Sequence, residues 1–133
     1  MDRPPATTLD LAQQVPVNVA RETLPIDVVT IDETISRALR VNVGRLDLVQ
    51  LGELEEELRG HIGLLLPEAR DAAGRIWRGS PEWHRRIVRL DGIERQVKQG
   101  ISDAPLASHF QVQQLARDCQ WLLDDHKERE QTR

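Results

Sequence analysis

Tyrosine is absent from this 133-residue chain, phenylalanine and cysteine occur once each, and three tryptophans complete the aromatic set. So few aromatic rings leave a core to be filled by Leu, Ile, Val and Ala. The lone Cys119 has no partner for an intramolecular disulfide and stands in no redox or metal spacing, which implies a reducing compartment, with the cytoplasm the simplest expectation. The longest apolar run, "IGLLL", falls far below the roughly 20 residues that span a bilayer, so no membrane segment is expected. The opening "MDRPPATTLDLAQQVP" has neither a basic region followed by an apolar stretch nor a glycine after Met1, so neither secretion nor myristoylation is expected. Alternating strand patterns, hairpin turns and internal repeats are missing as well.

What is present is a globular balance, 39% hydrophobic and 30% charged, over a length that suits one domain. The formal net charge of −4 sets the overall field against nucleic acid and anionic lipid. Residues 1–25 hold four prolines among scattered polar residues and predict an irregular arm. After it, "TIDETISRALRVNVG" predicts a helix capped by Thr30 and Glu33, with Ile31, Ile35, Ala38 and Leu39 on one face and Gly44 as its stop.

A second helix starts at Asp47, with Gln50 completing its cap, and repeats Leu51, Leu54, Leu58, Ile62 and Leu65 at spacings of three and four. Pro67 removes an amide and crowds the carbonyl four residues earlier. The face nevertheless resumes with Ala69, Ala72, Ala73 and Ile76, which predicts a kink rather than a stop. A third helix opens with Ser80 as cap and Pro81 at its first position, and places Trp83, Ile87, Leu90, Val97 and Ile101 inward. The last begins near Pro105, buries Val112, Leu115, Cys119 and Leu122, and gives way to a charged tail over 129–133. The expected fold is all-α: an up-and-down bundle of about four helices over residues 26–128, with the arm lying across it.

Gly60 and Gly63 flank His61 inside the second helix, where each costs about 1 kcal/mol relative to Ala. Close approach of a neighbouring helix is the structural explanation, and a pocket beside His61 is the functional one. The string "LRGHIGLLLPEA", with "TISRAL" before it and "QQLARDCQWLLDDH" after it, resembles an actinobacterial family of unknown function described as natural product biosynthesis proteins. The resemblance spans about residues 31–127. It implies a short helical protein in a biosynthetic or regulatory setting and supplies no catalytic residue.

Candidate chemistry is sparse. His61, Glu94 and His126 border or enter apolar stripes, and their convergence between helices would let buried carboxylate and imidazole tune each other for acid–base work or ligand binding. Each also fits a helix edge where it reaches solvent or a local partner. No Glu-x-x-His, His-Glu-x-x-His or clustered Cys/His spacing is present, so no metal and no cofactor are expected. Cys119, within an apolar stripe, reads as a small core residue rather than a nucleophile.

Between Arg75 and Lys98 seven Lys/Arg stand against three Asp/Glu. A nucleic-acid footprint through Arg85, Arg86 and Arg89 competes there with helix-surface ion pairs of Glu82 with Arg86, Asp91 with Arg95 and Glu94 with Lys98. On the last helix Phe110, Arg117 and Trp121 share a face turned away from the Leu115/Cys119/Leu122 stripe. Aromatic residues with arginine characterise interface hot spots, although the arm or first helix offers intramolecular cover. The leading expectation is therefore a non-enzymatic accessory or regulatory protein acting on a protein partner or a second copy of itself through Phe110, Arg117 and Trp121. A small-molecule binding protein or biosynthetic enzyme with an interhelical pocket is the alternative, and a DNA-binding regulator ranks last.

Overall fold

A computed structural model describes residues 26–42, 44, 47–100 and 102–132. The irregular arm expected over residues 1–25, and Ile101 on the third stripe, lie outside them. Four helices follow in chain order: α1 (Val28–Leu39), α2 (Leu48–Ala73), α3 (Pro81–Lys98) and α4 (Pro105–Gln131). Among the described residues there is no strand.

The caps correct two details of the sequence reading. Asp27, not Thr30, caps α1: its carboxylate accepts from the Thr30 amide at 3.1 Å and from the Thr30 hydroxyl at 2.7 Å. These bonds hold the Asp27 carboxyl below its usual range. Leu39, assigned to the buried face, is 42% exposed because it sits at the fraying end of α1, beyond the last inward turn at Ala38. Asp47 does cap α2, but its acceptor serves the Val49 amide at 3.0 Å. Ser80 caps α3 through the Trp83 amide at 3.1 Å, with Pro81 first in the helix.

α2 passes through Pro67 and ends at Ala73. Leu51, Leu54, Leu58, Ile62, Leu65, Ala69 and Ala73 form its buried line on both sides of the proline. Pro67 faces outward, where water can serve the Gly63 carbonyl that the missing amide leaves without its helical partner. The close-approach explanation of the glycines is overturned, since a Cβ placed on Gly60 or Gly63 would meet nothing within 4 Å.

Cross-helix bonds fix the directions. Thr34 meets His61 while Arg37 meets Glu57, so α1 and α2 are antiparallel. Arg70 meets Asp91 and Glu94 while Arg59 reaches the Gln99 carbonyl, so α2 and α3 are antiparallel too. Arg86 with Asp125 and Arg89 with Asp118 set α4 against α3. Glu68 and His126, each near the C-terminal end of its helix, meet between α2 and α4, as parallel neighbours require. The result is the up-and-down bundle.

The core lies between α2 and α4, where Val112, Leu115, Ala116, Cys119, Leu122 and Leu123 pack against the α2 line. α1 contributes Ile31, Ile35 and Ala38 from one flank. α3 contributes only Leu90 and Ile93 as fully buried residues. At about 1.5–3 kcal/mol for each such side chain, apolar burial holds α3 weakly for its 18-residue length, so its polar contacts matter more than those of any other helix. The residues read as a charged tail continue α4 through Gln131.

Candidate functional site

α4 carries a polar seam beside its apolar stripe. Ser108, His109, Asp118, Asp125 and His126 are all buried, an unusual load for one helix. Asp118 and Asp125 stand seven residues apart and therefore project from the same side two turns apart. Arg86 and Arg89, three apart on α3, meet them one each.

Arg86 donates to Asp125 at 2.7 Å, with the carboxylate side chain 6% exposed. Arg129 lies 3.3 Å from the other Asp125 oxygen, within ion-pair reach but out of hydrogen-bond alignment. Arg129 also donates to the Glu68 carbonyl at 3.1 Å, and the Glu68 carboxylate meets His126 Nδ1 at 3.2 Å. Farther along, Arg89 donates to Asp118 at 3.3 Å, with its guanidinium 5.3 Å from the centre of the Trp121 ring. Gln114 donates to the same Asp118 oxygen at 3.1 Å. Burial raises the Asp118 pKa, against the pull of Gln114 and Arg89.

This network ties three helices together. Burial pushes the Cys119 thiol up to about 12, so it acts as a small core side chain. Two of the three arginines proposed to read DNA, Arg86 and Arg89, are drawn into these internal pairs, which leaves Arg85 as the exposed member.

The three residues proposed to converge each have different partners. His61 Nε2 lies 3.0 Å from the Thr34 hydroxyl on the α1 side of α2. That hydroxyl also donates to the Thr30 carbonyl at 3.1 Å, so His61 supplies the proton, which fixes its Nε2–H tautomer when neutral. Partial burial lowers the His61 pKa, against the opposing charges of Glu57 and Asp27. Glu94, placed inside the α3 stripe by spacing, sits at its rim and is 40% exposed, held by Arg70 at 2.5 Å and Lys98 at 3.1 Å, while Ile93 fills the core. Those two cations keep the Glu94 carboxyl below its usual range. His126 faces Glu68. An open depression of about 700 Å³ runs along the outer face of α1, lined by Val29, Asp32, Glu33, Ser36, Arg37 and Arg40, and none of the three lines it.

Of the expected surface pairs, Glu94 meets Lys98, and Glu82 lies 4.0 Å from Arg86. Asp91 turns instead to Arg70 at 2.9 Å. The outward face of α4 divides: Phe110 is 60% exposed and Arg117 exposed, whereas Trp121 is half-buried against the core beneath Arg89. Leu106, one turn before Phe110 and 50% exposed, extends the apolar part and was not singled out from sequence. Spacing carried the signal, since Leu106, Phe110 and Arg117 share one face. The seven-residue step from Asp118 to Asp125 was also legible, but no single-helix pattern names their partners on α3.

Fold and side chains together define a small all-α bundle in which buried Thr34, Asp118, Asp125 and His126 join helices. The chain belongs to the DUF6415 family, a family of unknown function, which it matches over residues 29–131. No curated protein and no solved structure matches it.

Proposed function

We propose that this protein is a helical accessory or regulatory protein that works by contact with a protein partner or a second copy of itself, through the N-terminal half of α4. The natural-product biosynthetic setting implied by the sequence resemblance forms part of this proposal. The observation that carries it is the pair Leu106 and Phe110, 50% and 60% exposed one turn apart. Arg117 lies two turns beyond Phe110, exposed and with no guanidinium partner among the described residues. Apolar side chains on one helix face beside an uncommitted arginine have the composition of an interface centre.

Trp121 plays a supporting part at the edge of that face, because Arg89 already covers its ring. The test is Leu106→Ser with Phe110→Ser, followed by light scattering over a concentration series, alone and with the products of neighbouring genes. The wild-type chain should assemble and the variant should remain monomeric with unchanged helicity. An assembly that survives the double substitution, or a wild-type chain that joins nothing, would sink the reading.

A further inference from the structure

The corner between α2 and α3 holds the most exposed large apolar side chain among the described residues, Trp77, at 81%. Its backbone is fixed. The Trp77 carbonyl accepts from the Ser80 amide at 3.1 Å, closing a turn. Gly79 takes φ +92° in that turn, a conformation that glycine adopts without strain. Ser80 then caps α3 through the Trp83 amide, so the turn is pinned from both sides.

Three arginines surround this point in the chain: Arg75, Arg78 and Arg85, all exposed. None of their guanidinium groups has a carboxylate or carbonyl partner among the described residues. Arg78 lies 5.9 Å from the centre of the Trp83 ring, an arrangement that orients the guanidinium and leaves its donors available. Arg37, Arg59, Arg70, Arg86, Arg89 and Arg129, by contrast, are all committed to internal acids. In a chain of net charge −4, three of the arginines without an acid partner among the described residues thus lie within eight positions of one exposed indole along the sequence.

We infer that this corner, Arg75, Trp77, Arg78 and Arg85, is a second binding surface, and that its occupant is a short acidic segment of a partner protein carrying an apolar side chain. Guanidinium forks match carboxylates in bidentate geometry, and the indole face supplies apolar contact at small conformational cost. The small footprint decides against a broad anionic surface. Asp71 precedes the corner by one turn of α2, and Glu82 follows it in the first turn of α3, 61% exposed. A bilayer or duplex, which presents phosphates over a wide area, would also have to cover these two exposed acids, which a segment of a few residues need not do. The corner lies at the C-terminal ends of α2 and α4, the opposite end of the bundle from Leu106 and Phe110, and the inference does not rest on that face.

Fluorescence anisotropy tests it, using a labelled peptide of Glu and Leu and its counterpart with Gln in place of Glu. Vesicles containing phosphatidylserine and a labelled DNA duplex run alongside. The full chain should bind the acidic peptide and not the neutral one. Trp77→Ser, and Arg75→Gln with Arg78→Gln, should each weaken binding roughly tenfold or more, as loss of an interface anchor does. Arg95→Gln, another exposed and uncommitted arginine farther along α3, should leave it unchanged, as should Phe110→Ser. Circular dichroism establishes that each variant keeps its helicity. Absence of acidic-peptide binding, equal binding by the corner variants, or preference for vesicles or duplex overturns the assignment. So does mass growth with concentration that Trp77→Ser abolishes, which would make a second copy the occupant.

Discussion

Replacing Asp125 with alanine tests whether α3 is held by a dehydrated ion pair. The Asp125 side chain is 6% exposed, and its two guanidinium partners, Arg86 and Arg129, are 26% exposed. Breaking a fully buried pair by removing one partner costs about 3–5 kcal/mol, because the remaining charge is left without compensation. Here water reaches about a quarter of each arginine, and Arg129 keeps its bond to the Glu68 carbonyl, so the expected loss is smaller, about 2–3 kcal/mol. With a urea m-value of about 1.5–2 kcal/mol/M, the unfolding midpoint should fall by about 1–2 M at unchanged m. The double variant Arg86→Ala with Asp125→Ala should be less destabilised than the sum of the single variants, by a coupling of about 1–3 kcal/mol. Added salt should weaken this coupling far less than that of Arg37 with Glu57, whose side chains are 50% and 43% exposed. A coupling near zero, or one abolished by moderate salt, would refute the claim that this contact is desolvated and anchors α3.

Gly60→Ala and Gly63→Ala should each stabilise the protein by about 0.5–1 kcal/mol in urea unfolding, because the added methyl meets open space and the helix gains propensity. Cys119, buried and with its thiol raised to about 12, should resist alkylation at neutral pH, reacting only as fast as the bundle opens; rapid labelling of the native protein would contradict its placement. His61 has a folded pKa below its ordinary 6.5, so the unfolded chain binds more protons in the window just below 6.5. Stability should therefore be full above that value and decline as pH falls through the folded pKa, and His61→Gln should remove that part of the slope.

Local rules made most of the fold legible. Spacing alone marked the α2 line from Leu51 to Ala73 through Pro67, because a helix repeats its face whether or not one amide is missing. Short-range chemistry marked Asp47 and Ser80 as caps. It failed at Thr30, where Asp27 three residues earlier offers the carboxylate and Thr30 becomes the donor. Glu94 and Ile93 exchanged roles for a longer-range reason: Arg70 on α2 stands where it can hold Glu94 at the rim.

The same division runs through the candidate sites. Phe110 and Arg117 were readable as outward because one helix's periodicity sets which side faces away from its own apolar stripe. Whether Trp121 is covered depended on Arg89, and whether an arginine is free depended on which acid the neighbouring helix presents. The sequence by itself determined four amphipathic helices, their apolar faces and the absence of membrane-length apolar runs, all properties of residues a few positions apart. Only the tertiary structure decided that Arg86 and Arg89 are committed to Asp125 and Asp118 while Arg75, Arg78 and Arg85 meet no acid among the described residues. Pairing between helices depends on packing and register, and no single helix encodes them.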